Sequence, residues 1–268
     1  MSYSYDLAHD FGVDRMNYAA PATVHGAISL EDVTLGYERH PAVHHVSLDI
    51  PAGSLVAIVG PNGGGKSTLL KGIQGSIRPM GGRISLNGFS RRDIAWLPQQ
   101  AEIDRSFPLS VAEIASMGLW RQSGLFGGIT SQGRDKVHKA LHAVGLEGFE
   151  ARLPSTLSGG QLQRALFARL VVQDAPVILL DEPFTGVDQR TRSDLMGLIR
   201  RWHEQGRTIL AVLHDHSLVA DSFPQAMLLA REIIAWGPTR EVMTAHNLTR
   251  ARTMSEAWDD EAEFCERP

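Results

Sequence analysis

Three unbroken apolar runs dominate the hydrophobic pattern of the chain. They lie at residues 55–59, 177–180 and 209–213. Apolar runs of this length without alternation are typical of strands that are covered on both faces. A helical period follows the second run, where apolar residues recur at three- and four-residue steps from Leu195 to Trp202 and stop before Gly206. This alternation predicts an α/β fold with a mainly parallel sheet.

Two segments depart from that pattern. Ile28, Leu30, Val33 and Leu35 have the spacing of half-buried strand residues, and residues 84–88 resemble a strand that runs into a hairpin turn. They predict a small antiparallel β subdomain. From about residue 101 to 165 no buried-strand run occurs. Helical patterns at 111–120 and 137–144, with a glycine-containing loop at 124–133, predict an inserted α-helical subdomain.

Composition limits the class of protein. The chain has 268 residues, of which 43% are hydrophobic, so it can form a folded core and is neither wholly disordered nor fibrous. The single cysteine, Cys265, excludes a disulfide framework and a cysteine-based zinc site. No apolar run approaches the roughly 18–20 residues that span a bilayer, so we expect no membrane span.

The charge is unevenly distributed. Net charge is −4, and residues 251–268 contain six acids against two arginines, so the rest of the chain is neutral overall. A chain without a basic excess is not expected to bind nucleic acid. We therefore divide the chain into a flexible N-terminal arm at 1–26, a folded domain at 27–250 and a solvated acidic tail at 251–268.

A glycine-rich loop follows the first buried run. It satisfies the pattern G-x-x-x-x-G-K-[ST] and consists of Gly60, Pro61, Asn62, Gly63, Gly64, Gly65, Lys66, Ser67 and Thr68. In such a phosphate loop the backbone N–H groups and the helix N-terminus face phosphate oxygens, the lysine reaches the β- and γ-phosphates, and the serine ligates Mg²⁺. A turn that only caps a helix is the alternative.

Two carboxylates end the second buried run. Asp181 and Glu182 follow residues 177–180 directly. At the tip of a strand beside a phosphate loop, Asp181 can hold Mg²⁺. Glu182 would lie near the γ-phosphate, where it can act as general base on an attacking water. Without a phosphate loop, the same pair would be an ordinary solvated strand end.

A second glycine pair lies at a helix start, in the segment Ser158, Gly159, Gly160 and Gln161, which we call the signature segment. Ser158 and Gln161 fit a capping box, which is the structural alternative. Each glycine weakens a helix by about 1 kcal/mol relative to alanine. We therefore expect a close approach of an anion to this helix start.

Phosphate loop, Leu-Ser-Gly-Gly-Gln and Leu-Leu-Asp-Glu, in this order and with a helical insertion, resemble the nucleotide-binding subunit of an ABC transporter over about residues 27–245. The resemblance implies that Tyr37, 29 residues before Lys66, stacks on adenine. It also implies that Gln99 contacts Mg²⁺ and the attacking water, that His214 bonds the γ-phosphate, and that the loop of Asp188 crosses to a partner subunit. Gly64 stands where the family often has alanine, and we expect the loop to accept either.

The same resemblance implies partners. Two identical chains would pair head to tail around two ATP molecules, with the signature segment of one chain facing the phosphate loop of the other. Lys66, Mg²⁺ and His214 would stabilise the charge of the transferred phosphoryl group. A separate permease dimer and an extracytoplasmic substrate-binding protein are implied, which would place the chain peripherally on the cytoplasmic face of the membrane. Trp120, Leu125 and Phe126 are expected to contribute to the permease contact.

Residues 97–118, 182–188 and 230–237 resemble the ATPases of zinc and manganese import systems, and the expectation is zinc import. Manganese or iron import is the alternative, followed by a soluble ABC ATPase without a transport role and by a kinase or GTPase-like switch that shares only the phosphate loop. The histidine pairs 44/45 and 138/142 lack a third ligand at a defined spacing, so we expect no structural metal site.

Overall fold

The computed structural model describes residues 27–38, 40–106, 108–120 and 128–256. The strands are β1 (Ile28–Tyr37), β2 (His40–Ile50), β3 (Leu55–Val59), β4 (Gly81–Leu86), β5 (Ile94–Leu97), β6 (Val177–Asp181), β7 (Thr208–Val212), β8 (Gln225–Ala230) and β9 (Glu232–Pro238). The helices are α1 (Lys66–Gln74), α2 (Val111–Ser116), α3 (Ser131–Ala143), α4 (Gly159–Gln173), α5 (Gln189–Glu204), α6 (His216–Ser222), α7 (Thr239–Val242) and α8 (Ala245–Glu256). Short 3₁₀ turns occupy Arg91–Asp93, Gln100–Glu102, Met117–Leu119 and Pro154–Thr156. The predicted arm at 1–26 lies outside the described residues.

The larger sheet has six strands in the order β5-β6-β7-β3-β8-β9. All neighbours are parallel except β9, which runs antiparallel to β8. Every residue of β3, β6 and β7 is buried, as the unbroken apolar runs predict. The mainly parallel α/β fold is therefore confirmed.

Alternate residues of the central strands enter different cores. Val56 and Ile58 face a core that contains α1 and the smaller sheet, whereas Ala57 and Val59 face a core that contains α4 and α5. The period-two pleat thus buries both faces of one strand. This burial fixes the carboxyl ends of β3, β6 and β7, where the predicted site residues begin.

The smaller sheet is antiparallel, with the strand order β2-β1-β4. A register shift between Leu30 and Val33 lets both side chains point inward despite their odd spacing, and Asp32 takes a positive φ of 52° there. The antiparallel subdomain is confirmed. The hairpin turn predicted after residue 86 is wrong, because the chain leaves β4 for the turn Arg91–Asp93 and then enters β5 of the other sheet.

The helical insertion packs α2 and α3 against α4, and buried Leu162 and Leu166 of α4 contribute to its core. The predicted boundary near residue 165 lies inside α4. The glycine-containing loop predicted at 124–133 ends earlier, because Thr130 caps α3 and Gly133 lies in its first turn. Trp120 is 65% exposed, while Leu125 and Phe126 lie outside the described residues.

The predicted boundary before the acidic tail also changes. α8 extends to Glu256, and Ala251 is 2% exposed in the larger core. Residues 251–256 therefore belong to the last helix rather than to a solvated tail, and 257–268 lie outside the described residues. Among the described residues, no helix is long and apolar enough to cross a membrane.

Candidate functional site

The phosphate loop lies close to strand β8 of the larger sheet and to strand β2 of the smaller sheet. It joins β3 to α1, and its glycines Gly63 and Gly65 have φ angles of 74° and 85°. A Cβ on Gly60 would overlap the Leu229 carbonyl oxygen, and one on Gly65 would overlap the Ala42 carbonyl oxygen. Both backbone conformation and space therefore require glycine at Gly60, whose φ is 146°, and at Gly65, whereas Gly63 has open space around it and is favoured by its φ angle alone.

Gly64 has two backbone carbonyl oxygens close to it. A Cβ at this position would lie 2.9 Å from the Leu229 carbonyl oxygen and 3.0 Å from that of Pro61. Both neighbours are backbone atoms, so alanine would require the loop or β8 to shift. The expectation that the loop accepts either residue stays a prediction, and such a shift is what it requires of alanine.

Lys66 closes the loop on itself. Its Nζ donates hydrogen bonds to the carbonyl oxygens of Gly60, at 3.0 Å, and Pro61, at 2.7 Å. Burial lowers the pKa of Lys66, and the carboxylates of Glu182 and Asp181 oppose that effect. The loop therefore holds a buried cation beside two acidic groups, which is suited to an anionic ligand.

The carboxylate of Asp181 is suited to a cation. Ser67 Oγ donates to Asp181 Oδ1 at 3.0 Å, whereas Asp181 Oδ2 is buried without a hydrogen-bond partner. Gln99 Nε2 lies 3.5 Å from Ser67 Oγ. Hydroxyl, carboxylate and amide oxygens are hard ligands that suit Mg²⁺, which also keeps waters and substrate phosphates in its shell. Ser67, Asp181 and Gln99 therefore fit this ion.

Histidines, cysteines and carboxylates do not form a further metal site in the part of the chain that the structure describes, where no group of three or more could hold an ion. His45 Nδ1 instead pairs with Asp32 at 2.9 Å, and His142 Nε2 lies 3.8 Å from Glu147. These histidines thus have carboxylate neighbours within the fold.

Burial raises the pKa of Asp181 to about 6, from an ordinary value of 3.8. Ionisation of this carboxyl group therefore destabilises the folded protein without Mg²⁺, and the destabilisation grows as pH rises from about 4 to 6. We expect Asp181→Asn to raise the Tm of the Mg²⁺-free protein near pH 7.5. The substitution removes the free-energy cost of ionising this buried carboxyl group, which is about 3 kcal/mol. Thermal unfolding at several pH values checks this. The gain should shrink toward pH 4, and a gain independent of pH would contradict it.

Glu182 is the centre of the hydrogen-bond cluster. Its Oε1 accepts from Gln99 Nε2 at 2.7 Å and lies 2.8 Å from His214 Nε2. Thr185 Oγ1 donates to Oε2 at 3.1 Å. Glu182 also has a positive φ of 50°, which is uncommon for a non-glycine residue. The structure thus brings together three residues that lie on separate strand ends in the sequence: Gln99, Glu182 and His214.

Two clefts meet at Glu182. One, of about 270 Å³, is lined on its polar side by Glu182, Arg192, His214 and Asp215. The other, of about 360 Å³, lies on the Gln99 side and also includes Arg105. A water or phosphate can therefore approach Glu182 from solvent.

The signature segment has contacts of its own. Ser158 Oγ accepts from Gln161 N at 3.2 Å, and Gln161 Oε1 accepts from Ser158 N at 2.9 Å, so the capping box is formed. A Cβ on Gly159 would lie 2.9 Å from the Gly186 carbonyl oxygen, which explains this glycine within the chain. Gly160 has only ordinary contacts, so the expectation of a close ligand approach stays a prediction for that position.

Asp188 and Tyr37 lie at the ends of secondary structure elements. Asp188 caps α5, where its carboxylate accepts from Thr191 N at 2.9 Å and from Thr191 Oγ1 at 2.8 Å. These bonds lower the pKa of Asp188. Tyr37 ends β1 and is 51% exposed, so its ring is available for stacking.

Sequence reasoning missed three contacts of the site. Thr185 holds Glu182, Gln100 Nε2 donates to the Gly159 carbonyl oxygen at 2.8 Å, and Arg192 pairs with Asp215 at 2.8 Å beside His214. The position of Thr185 and Asp215 next to predicted residues was the available signal. The partner of Gln100 lies 59 residues away, and the sequence contains no signal for it.

Fold and site together define a nucleoside triphosphatase of the phosphate-loop class. Residues 43–185 match the family model described as ABC transporter. The chain is 38% identical to the manganese transport system ATP-binding protein MntB of Bacillus subtilis, over 83% of this chain and 91% of the relative. It is also 38% identical to the zinc transport system ATP-binding protein TroB of Treponema pallidum, over 84% and 86%.

A dimeric ATP-binding cassette solved with ADP and phosphate is similar in structure, with a TM-score of 0.70 and 28% identity over 80% of this chain and 99% of that one. The chain belongs to the ABC transporter family, and it is an ABC-type ATPase.

Proposed function

We propose that this ATPase powers the import of a divalent transition metal, manganese or zinc, through a separate membrane permease. The likeness to manganese and zinc transport ATP-binding proteins over more than four fifths of the chain carries the proposal. Zinc, the metal expected from the sequence, is one of the two candidates that these relatives name. The ATPase supplies energy, whereas permease and binding protein select the metal.

For hydrolysis, Glu182 is the general base. Gln99 and His214 hold Oε1 from two sides, so the carboxylate has a fixed position from which it accepts a proton from an attacking water. Lys66 and His214 stabilise the negative charge of the transferred phosphoryl group. Ser67, Asp181 and Gln99 would hold Mg²⁺, which when bound would neutralise part of that charge. The backbone N–H groups of the phosphate loop hold the nucleotide phosphates.

A second copy of the chain completes each site. In the described part of the chain, the contacts of Ser158 and Gly159 are to Gln161, Gly186 and Gln100 rather than to the phosphate loop. Ser158 is exposed and the rest of the signature segment is partly exposed, so the segment is available to a partner chain, and a similar cassette was solved as a dimer. In the ATP-bound homodimer, Asp188 lies at the interface and Tyr37 stacks on adenine.

The permease dimer contacts the cleft on the Gln99 side, which Gln100, Ala101, Ile103 and Arg105 also line. Exposed Trp120 is the part of the predicted apolar contact that the structure describes. This contact attaches the chain peripherally to the cytoplasmic face of the membrane. An extracytoplasmic substrate-binding protein delivers the metal in the same system.

Metal uptake in cells that lack this chain tests the proposal. Uptake of radioactive manganese or zinc should fall to background for one of the two metals, and the parent chain should restore it. The variant Lys66→Ala should not restore uptake, because its loop lacks the cation that faces phosphate. Unchanged uptake of both metals would contradict a role in manganese or zinc import, and a defect in iron uptake alone would favour the third metal.

A further inference from the structure

The 3₁₀ turn Gln100–Glu102 contacts two parts of the nucleotide machinery besides the cluster at Glu182. Gln99, directly before the turn, donates to Glu182 at 2.7 Å. Gln100, its first residue, donates to the Gly159 carbonyl oxygen at 2.8 Å. Glu102, its last residue, pairs with Lys71 of α1 at 2.6 Å. One short turn therefore connects the general base, the signature segment and the helix that follows the phosphate loop.

Gln100 fills a junction between two glycines. Its Oε1 lies 3.4 Å from the place of a Cβ on Gly186 and 3.6 Å from that of a Cβ on Gly159. The same Cβ on Gly159 would lie 2.9 Å from the Gly186 carbonyl oxygen. Since neither glycine has a side chain, Gln100 supplies the side-chain hydrogen bond that holds Gly159 in this junction.

The position of Gly159 matters because it is the first residue of α4, directly after the exposed N-cap Ser158. Helix N-termini bind phosphate through their backbone N–H groups, and a small displacement lengthens such hydrogen bonds and weakens them. The Ser158–Gln161 capping box fixes the segment internally but does not fix it relative to Glu182. Gln163 of α4 donates to the Pro183 carbonyl oxygen at 2.8 Å, and Gln100 provides the connection at the first residue of the helix.

We propose that Gln100 is a positioning residue that holds the signature segment in register with Gln99 and Glu182 of its own chain. The consequence for catalysis rests on the proposed homodimer, in which this segment meets the nucleotide of the second copy. In that dimer, one peptide bond would join Gln99, which contacts Glu182 of one site, to Gln100, which holds the segment that serves the other site.

The Lys71–Glu102 pair, which joins the other end of the turn to α1, contributes less to holding the turn in place. Its side chains are 24% and 39% exposed, and partly exposed ion pairs stabilise a fold only weakly. Removal of the Gln100 amide donor is thus the informative change. Gln100→Glu keeps the size of the side chain and places a carboxylate, which cannot donate, against the Gly159 carbonyl oxygen.

Gln173→Glu is the matched control. Gln173 is the last residue of the same helix, α4, and its Nε2 donates to the Ile94 carbonyl oxygen at 2.9 Å. Both variants remove one amide-to-carbonyl hydrogen bond from α4, at opposite ends. An effect on overall stability alone should therefore be similar in the two.

Two measurements on the full chain test the proposal. Amide hydrogen exchange of a peptide that covers residues 158–166 should be faster by at least about fivefold in Gln100→Glu than in the parent, and unchanged in Gln173→Glu. In chains that also contain Glu182→Gln, the ATP concentration needed for dimerisation should rise by about fivefold or more for Gln100→Glu only. Affinity for ATP in the monomer should stay within about twofold.

Equal exchange in parent and Gln100→Glu, or equal changes in both variants, would overturn the positioning role. If the chain with Glu182→Gln alone formed no ATP-bound dimer, that result would contradict the proposed dimer. Hydrogen exchange would still decide whether Gln100 holds the segment.

Discussion

Replacement of Glu182 by glutamine is expected to leave ATP binding intact and to slow ATP hydrolysis by about 10²–10⁴-fold. A homodimer with ATP should accumulate, because the nucleotide that holds it together is no longer cleaved. Steady-state phosphate release measures the loss of turnover. Size-exclusion chromatography with and without ATP measures the dimer.

The hydrogen-bond geometry explains why this substitution separates binding from chemistry. Oε1 of Glu182 interacts with Gln99 and His214, and an amide oxygen can take its place. Thr185 Oγ1, now a donor to Oε2, can accept from the new amide nitrogen. The side chain thus keeps its position and loses only its ability to accept a proton.

Glu241→Gln provides the control, since Glu241 is an exposed residue of α7 with a 64% exposed side chain. It should hydrolyse ATP at the parental rate. Hydrolysis near that rate by Glu182→Gln would exclude Glu182 as the general base. The search for the base would then move to other groups that line the two clefts at this residue.

Local sequence patterns determine the main sheet. Strands β3, β6 and β7 are buried on both faces, and a continuous apolar run is the direct expression of that environment. The strand ends then place Ser67, Asp181, Glu182 and His214 at one edge of the sheet, since parallel strands end on the same side. Short-range information therefore predicts which residues meet.

Long-range backbone contacts were not predictable in the same way. The tight space at Gly64 comes from Leu229 on β8, and the position of Gly159 depends on Gly186 and Gln100. Neither approach leaves a periodic pattern in the sequence. The hairpin predicted after residue 86 failed for a related reason, because a turn-like Asn-Gly sequence does not specify which sheet the next strand joins.

The end of the domain shows how charge can mislead. Acidic residues suggested a solvated tail from residue 251, yet Ala251 is buried and α8 continues through Glu256. Apolar contacts of Ala251 and Met254 with the larger core, together with helix continuation, decide the structure of these residues. The count of charges does not contain that information.

Replacement of Ser158 by arginine is expected to lower the rate of ATP hydrolysis by at least about 100-fold. The affinity of the monomer for ATP should stay within about twofold of the parent's. Ser158 is exposed at the start of α4, so a long cationic side chain there blocks the approach of a second copy. In the described part of the chain, the hydrogen bonds of the Ser158 hydroxyl and N–H group are to Gln161 rather than to the phosphate loop. The phosphate loop of the variant should therefore bind nucleotide normally. Phosphate release and a fluorescent-nucleotide titration measure the two quantities.

Two controls isolate the interface effect. Ser158→Ala removes the helix cap alone, which costs about 1 kcal/mol of stability, and should retain part of the activity. Ser155→Arg places the same side chain on an exposed residue of the preceding turn and should be active. Parental hydrolysis by Ser158→Arg would contradict the shared site, because a kinase or GTPase-like enzyme that completes its site within one chain does not need this helix start. Loss of hydrolysis in Ser158→Arg alone supports an ATPase whose two sites are each built from two chains.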